Sequence, residues 1–241
     1  MIRHILTLAL LGLVACGGSG GGDDDGPTPD GPVNVPQTIM ISGTAVEVTA
    51  SGSEPLAGVL VEAFANSDEN TVITMATTDA QGNYTLTVET DGNALDGFLK
   101  ATANGVLVTY LYPPEPLAEN FDGASINMIS SNTLGLLTMP LFCDEDQGPN
   151  NGLIAVLVYD SNDMPVAGAE LSSSPAPSSI CYNGSNDLPD GDATVTAADG
   201  IGYMFNVAGA ATVSATAPGL TLRSHDLTAR AGALTTTLIR P

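Results

Sequence analysis

Tryptophan is absent from this sequence and positive charge is scarce. Its 241 residues include 5 Lys and Arg against 27 Asp and Glu, which gives a formal net charge of −22 at pH 7. Nucleic-acid binding requires clusters of Lys and Arg that neutralise phosphates, so this composition excludes it. The carboxylates keep the chain soluble, and they could also concentrate divalent cations near its surface.

Histidine is nearly absent as well, which removes most of the usual catalytic groups. His4 and His225 are the two histidines, and His4 falls in an N-terminal segment that we expect to be removed. One remaining histidine excludes zinc and non-haem iron sites built from several histidines. A Ser-His-Asp arrangement could still use His225 with Ser224, but no Gly-x-Ser-x-Gly motif accompanies it. We therefore predict that the protein is not an enzyme.

The N-terminus carries a short apolar segment. Arg3 and His4 precede an apolar run at residues 5–14. A run of about ten residues is too short to span a bilayer as a helix and is typical of a signal peptide. It ends in Leu13-Val14-Ala15-Cys16, which resembles a bacterial lipobox.

The lipobox resemblance implies a membrane anchor. Residues 1–15 would be removed, and the thiol and new amino terminus of Cys16 would carry fatty acyl chains such as palmitate, which hold a protein far more firmly than one chain does. Gly17 rather than Asp follows the cysteine; in enteric bacteria this indicates the outer membrane. The alternative is an ordinary secretory signal cut nearby, with Cys16 incidental.

The next segment, residues 16–36, is predicted to be a disordered tether. Of the twenty residues 17–36, seven are Gly, four are Pro and four are Asp. A flexible chain of this length has a root-mean-square reach of roughly 25 Å. The folded part would thus stand clear of the lipid surface.

After residue 36 the pattern becomes that of short strands, and we predict an all-β chain. Residues 84–88 alternate apolar and hydroxyl side chains, so Tyr84, Leu86 and Val88 are expected to face a core. Residues 153–159 are almost continuously apolar, as expected for a strand covered on both faces.

Three short motifs occur twice in the same order, which predicts two copies of one module. Residues 54–59 (EPLAGV) recur as residues 164–169 (MPVAGA), and residues 101–105 (ATANG) recur as residues 215–219 (ATAPG). The turn before Tyr84, residues 79–84, has a looser echo in residues 199–203, which aligns Tyr84 with Tyr203.

These motifs resemble the carboxypeptidase regulatory-like family. Residues 43–46, 57–61, 78–84 and 103–105 follow that family's pattern in order, whereas the second copy departs from it through an insertion at residues 172–192. The resemblance implies two tandem transthyretin-like (Ig-like) β-sandwiches, at residues 37–139 and 140–241. The peptidases concerned keep their zinc ligands in a separate catalytic domain, so the resemblance implies no peptidase activity here.

The two remaining cysteines, Cys143 and Cys181, are predicted to form a disulfide because the chain is expected to be exported. Calcium is the most plausible metal, because carboxylates are abundant. Its weak candidate ligands are Asp187, Asp190 and Asp192, with Asp144, Glu145 and Asp146 as a second cluster. Neither cluster has the spacing of a known calcium loop. We therefore predict no cofactor, and calcium is the alternative.

Aromatic and lysine residues offer two further candidate sites. Tyr110 and Tyr112 lie two apart on one predicted strand and could form a glycan platform; the alternative is that they pack against the neighbouring module. Lys100, the one lysine, could crosslink to an asparagine as in surface adhesins, or simply lie along a strand with its charge in water.

The sequence therefore predicts a non-enzymatic, lipid-anchored cell-envelope protein that acts in binding or as a structural spacer. The alternatives are a carbohydrate- or calcium-binding surface module and an accessory subunit of a secreted hydrolase. The identity of a protein or glycan partner does not follow from the residues.

Overall fold

The computed structural model describes residues 35–241, and the predicted signal peptide, lipobox and most of the tether lie outside them. The all-β prediction is confirmed, because the described residues form seventeen strands and one short helix. In chain order these are β1 (Thr38–Thr49), β2 (Gly52–Pro55), β3 (Leu60–Ala65), β4 (Thr74–Thr77), β5 (Asn83–Glu89), β6 (Gly97–Thr102), β7 (Thr109–Tyr112), β8 (Phe121–Asp122), β9 (Ile126–Met128), α1 (Ser131–Leu137), β10 (Gly152–Val158), β11 (Glu170–Ser174), β12 (Ser179–Asn183), β13 (Pro189–Asp190), β14 (Ile201–Val207), β15 (Gly209–Thr216), β16 (His225–Ala229) and β17 (Leu234–Ile239).

In the first half, two layers of strands enclose a core. One layer is built on β1, which pairs with β5, β2, β8 and β9, and the other has the order β4-β3-β6-β7. Tyr84, Leu86 and Val88 of β5 are buried, while Thr85 and Thr87 between them are exposed. The alternation predicted from the sequence is therefore confirmed, and it places the apolar face of β5 on this core.

The second half repeats this plan. Strands β17, β10, β14, β12 and β13 form one layer, and β11, β15 and β16 form the other. The continuously apolar strand β10 is covered on both faces as predicted, because Ile154 and Leu153 belong to two different buried clusters.

A single sheet runs through both halves. Strand β7 of the first half pairs in parallel with β17 of the second, from Thr109 opposite Leu234 to Tyr112 opposite Thr237. This pairing makes one nine-stranded sheet, from β13 at one edge to β4 at the other. The predicted boundary at residue 140 falls between α1 and β10, and the halves on its two sides are joined by backbone hydrogen bonds.

The internal repeat is visible in two buried threonines. The Thr78 hydroxyl accepts a hydrogen bond from the backbone N–H of Val59 and donates one to the carbonyl of Leu56. Thr196 does the same, with the N–H of Ala169 and the carbonyl of Val166. These threonines hold the turn at Gly58 and the turn at Gly168, which share a positive φ of 75° and 80°.

The alignment of Tyr84 with Tyr203 is wrong by one residue. The carbonyl of Gly82 accepts a hydrogen bond from the N–H of Ala45, and the carbonyl of Gly200 accepts one from the N–H of Val158, so the counterpart of Tyr84 is Gly202. A shift of one residue moves a side chain to the other face of a strand. Tyr203 accordingly lies on the face of β14 opposite to the one that its alignment with Tyr84 predicts. Burial, assisted by the charge of Asp199, raises the pKa of Tyr203 to about 12.

The place of Tyr84 is filled from another strand in the second half. A Cβ added at Gly202 would lie 2.9 Å from the ring of Tyr182 and 2.5 Å from Leu171. Tyr182 of β12 is buried in the core, and its hydroxyl accepts a hydrogen bond from the N–H of Leu171. A tyrosine thus occupies both cores, but from different strands.

No helix within residues 35–241 is long and apolar enough to cross a membrane.

Candidate functional site: the joint between the two halves

An aromatic cluster lies where β7 meets the second half. The ring of Phe98 on β6 stacks on Tyr112, with centroids 5.0 Å apart, and on Phe64, at 5.3 Å. Tyr112 is only 2 % exposed and belongs to the same buried cluster as Ile154 and Val213 of the second half. This cluster therefore packs one half on the other.

Arg230 closes the cluster from the second half. It follows the end of β16, and its guanidinium carbon lies 4.1 Å from the ring centroid of Tyr110 and 4.6 Å from that of Phe98. Its Nη1 donates hydrogen bonds of 3.0 Å to the hydroxyl of Tyr112 and to the carbonyl of Thr228. A planar guanidinium suits this site because it stacks on rings while its edge donates hydrogen bonds.

A charge pair crosses the same boundary. The Nη2 of Arg230 lies 2.9 Å from the carboxylate of Glu69, which belongs to the first half. The hydroxyl of Thr228 also donates to this carboxylate, at 3.2 Å. We call these six residues, Glu69, Phe98, Tyr110, Tyr112, Thr228 and Arg230, the joint.

His225 borders the joint and is held in place. Its ring meets Tyr112 edge-on at 6.2 Å, and its Nδ1 shares a hydrogen bond with the hydroxyl of Thr237. Burial lowers the pKa of His225 below its usual value, against the attraction of Asp226 and Asp96. The neighbouring Ser224 is exposed on an open cleft that Glu115 and Arg223 also line.

The predicted glycan platform is occupied by protein. Tyr110 and Tyr112 do share a face, as their spacing indicates, but Tyr112 is buried and Arg230 covers Tyr110. The structure therefore corrects the platform reading in favour of its alternative, packing against the neighbouring half. Arg230 of the second half, which no sequence motif indicated, covers the ring of Tyr110 where the platform interpretation places a glycan.

The weak calcium candidates do not converge. Within residues 35–241 no three His, Cys, Asp or Glu side chains come close enough together to hold a metal ion. Asp190 pairs with Tyr182 in the hairpin of β12 and β13, and its carboxylate accepts a hydrogen bond from the N–H of Asp192. Asp187 lies in the turn between these strands with a φ of 61°. Asp190 and Asp192 thus share one local turn, and the three aspartates do not form a common metal site.

The predicted disulfide is confirmed: Cys143 and Cys181 are bonded, with their Cα atoms 5.5 Å apart. It joins the segment before β10 to β12 in the inserted region. The sequence signal was simple, because these are the two cysteines other than Cys16.

Asn206 organises the acidic segment beside this disulfide. Its amide Nδ2 donates to the carboxylate of Glu145, at 3.2 Å, and to the carbonyl of Asp146, at 2.7 Å. Its Oδ1 accepts from the N–H of Gly148, and its own N–H donates to the side chain of Gln147. Asn206 adopts a φ of 58°, in the left-handed region that asparagine tolerates better than most residues.

Lys100 is in a cross-strand ion pair. It lies opposite Glu62 in the pairing of β3 with β6, and its Nζ donates to the Glu62 carboxylate at 3.1 Å. Its charge also lies 5.8 Å from the ring of Phe64. These contacts match the strand-residue alternative rather than a crosslink to asparagine.

Comparisons with known proteins add little. Neither protein-family models nor curated protein sequences give a match. Among solved structures, the Bacillus anthracis TIE protein is 11% identical over 84% of this chain and 34% of its own, with a TM-score of 0.27. This chain thus spans about a third of that protein's length.

Two pilin structures are similar at the same level. The shaft pilin spaA from Lactobacillus rhamnosus GG is 14% identical over 85% of this chain and 98% of its own, with a TM-score of 0.28. GBS52, the minor pilin of Streptococcus agalactiae, is 15% identical over 84% and 94%, with a TM-score of 0.27. At such scores the description of this fold depends on the chain's own strands.

Proposed function

We propose that this protein is a non-enzymatic spacer of the bacterial cell envelope, anchored by acylated Cys16 and carrying two β-sandwich modules as one stiff unit. The observation that carries the proposal is the nine-stranded sheet shared by the two halves. Tandem domains that share only a small, polar interface move relative to one another by default. A sheet that continues through both domains, with buried side chains along the interface, resists such motion.

The seam between the halves supports stiffness in two ways. Four consecutive residue pairs join β7 to β17, and bending between the halves would break their backbone hydrogen bonds. Behind this pairing, Tyr112 is buried and Arg230 is fixed by rings, by Tyr112 and by Glu69. Bending would therefore also expose apolar rings and separate a partly buried charge pair.

The anchor part of the proposal comes from the sequence. The lipobox-like residues 13–16 end at Cys16, and the Gly-, Pro- and Asp-rich tether follows. The described chain begins at residue 35, beside the start of β1, where the N–H of Thr90 donates to the carbonyl of Gln37. A tether that joins the end of a long strand suits a module held off a surface.

The family resemblance supports a spacer more than a catalyst. The two copies keep the same threonine and glycine turns, which is where the carboxypeptidase regulatory-like pattern is most evident in this sequence. We propose that the chain belongs to that family and that its two modules act as a spacer.

The experiment that tests the proposal is detergent extraction from the native bacterium followed by intact mass measurement. Removal of residues 1–15 with acyl mass added at Cys16 is the expected result. A Cys16→Ser variant should leave the membrane fraction, whereas a Ser19→Ala variant should stay in it. An intact N-terminus, or an unmodified Cys16 in the membrane fraction, would contradict the anchor.

A further inference from the structure

An exposed apolar surface lies on the connector between the halves. Leu141 is 79 % exposed, Met139 is 45 % exposed and Leu136, at the end of α1, is 39 % exposed. We call these three residues the connector surface. Large side chains exposed together are unusual in a soluble chain and indicate a contact with another molecule.

The backbone fixes this surface in one conformation. The N–H groups of Phe142 and Asp144 both donate to the carbonyl of Met139, and the N–H of Cys143 donates to the carbonyl of Leu137. The disulfide from Cys143 to Cys181 ties the same turn to β12. The apolar side chains are thus presented by a pinned turn, so little conformational entropy would be lost when they are covered.

Two acidic segments flank the connector surface. Asp144 and Asp146 follow it directly and are exposed. The second segment reaches it through Gly191, where an added Cβ would lie 2.5 Å from the carbonyl oxygen of Phe142, so exposed Asp190 and Asp192 are its immediate neighbours.

Positive charge is missing from this part of the chain. No Lys or Arg occurs between Lys100 and Arg223. The field around the connector surface is therefore negative on both flanks, and it attracts cations and repels anions. An occupant of the surface has to combine apolar side chains with positive charge.

The connector surface begins on α1, which contacts the end of β1 that lies opposite the tether. The hydroxyl of Thr133 on α1 donates to the carbonyl of Val48, near the end of β1. The tether joins the opposite end of β1, before Thr38, and a strand of this length measures roughly 35–40 Å. The connector surface is thus distant from the point where the chain would approach a membrane.

We infer that the connector surface docks a cationic, amphipathic segment of another protein, with Leu141 as the central apolar contact and the flanking aspartates facing its Lys or Arg residues. A second copy of this chain is a poor occupant, because it would bring the same negative charge to the surface. A bacterial lipid surface is a poor occupant as well, since it is anionic and lies on the tether side.

The test uses the full-length chain with Cys16→Ser and three peptide probes. Each probe has about 18 residues, a length that forms an amphipathic helix of five turns. The first alternates Lys and Leu at helical spacing, the second replaces Lys by Glu, and the third replaces Leu by Ser. Fluorescence anisotropy at physiological salt measures the affinity of each.

The Lys/Leu probe should bind, and the other two should bind about tenfold more weakly or not at all. Leu141→Ser should weaken the Lys/Leu probe by about tenfold, because it removes the main apolar contact. Met75→Ser is the matched control, since Met75 is 64 % exposed on β4 of the first half and should not affect binding.

Four results would overturn the inference. Equal binding of the Lys/Leu and Lys/Ser probes would mean that only general negative charge attracts the peptide. Equal affinity of the wild-type and Leu141→Ser chains would place the binding elsewhere. Concentration-dependent dimers in sedimentation, lost with Leu141→Ser, would assign the surface to a second copy instead, and binding to anionic phospholipid vesicles, lost with the same change, would assign it to lipid.

Discussion

The two halves of the chain build the same backbone turns around different cores. Thr78 and Thr196 make the same pair of hydrogen bonds, and Gly82 and Gly200 are equally close to a neighbouring carbonyl, with an added Cβ at 2.5 Å in both. The core tyrosine, however, comes from β5 in the first half and from β12 in the second. The module therefore depends on its hydrogen-bonded turns, while the core can be refilled from another strand.

The halves also differ in how their loops are fixed. Within the described residues the second half has a disulfide on its inserted segment and the Asn206 network on residues 145–148, and the first half has neither. The inserted segment is acidic and rich in turns, so it has little apolar surface of its own to bury. Covalent and polar contacts replace the missing core there.

The largest effect should come from the disulfide. Replacing both Cys143 and Cys181 by Ser opens a loop with a sequence separation of 38 residues. On the chain-entropy model this lowers the free energy of unfolding by about 3–4 kcal/mol. Denaturant unfolding measures the loss. Hydrogen exchange should show it mainly in β12 and the connector, and equal loss in β5 of the first half would contradict the difference between the halves.

The two threonines should be of similar importance. Thr78→Val and Thr196→Val each leave a buried N–H and a carbonyl without their partner, which costs about 2–3 kcal/mol of unfolding free energy. Thr77→Val and Thr194→Val, at exposed neighbours, are the controls and should change little. If one buried threonine is costly and the other is not, the halves are not two copies of one module.

Arg230 should contribute more than another arginine of the same half. Arg230→Met removes the Glu69 pair, two hydrogen bonds and the ring stacking, and should destabilise the protein by about 2 kcal/mol. Arg223, which pairs with Glu115 and has a side chain 69% exposed, gives the matched variant Arg223→Met, expected to cost less than about 0.5 kcal/mol. Equal effects in thermal unfolding would mean that the joint has no special role.

The smallest effect concerns deamidation at Asn-Gly pairs. This reaction passes through a cyclic imide, which forms only where the backbone has room to rearrange. Asn104-Gly105 lies in an exposed turn of the first half, and an added Cβ at Gly105 meets nothing within 4 Å. In the second half, Asn151 precedes Gly152, where an added Cβ would lie 2.9 Å from the backbone of Arg230. Asn183 precedes Gly184, and its side chain is buried and donates a hydrogen bond to Asp199.

Peptide mapping after prolonged incubation should therefore find deamidation at Asn104 and much less at Asn151 and Asn183. Stability should hardly change, because the turn is exposed. Deamidation at similar rates at all three positions would show that the second half opens far more often than its contacts suggest.

Local patterns predicted more of this fold than long-range ones. The alternation of apolar and hydroxyl residues identified the buried face of β5, because it depends only on neighbouring residues. The disulfide was identified because Cys143 and Cys181 are the two cysteines other than Cys16. The one-residue error at Tyr203 arose because a tyrosine dominated the alignment, whereas the hydrogen-bond geometry shared by the two halves belongs to Gly82 and Gly200.

The joint could not be predicted in the same way. The pairing of β7 with β17 joins residues more than a hundred positions apart, and nothing in a short apolar run specifies a partner at that distance. Arg230 had no motif around it. The signal that was available was its rarity, since Arg230 is one of three arginines in the second half and an arginine is a natural partner for tyrosine rings.

The most direct test of a stiff two-module unit is the distance distribution between spin labels at Thr85 and Ala210, both exposed and one in each half. Labels attached without cysteine chemistry leave the Cys143–Cys181 bond intact. The shared sheet predicts one narrow distance that broadens in the Arg230→Met variant. A broad distribution in the unaltered chain would contradict the account, because the halves would then move independently.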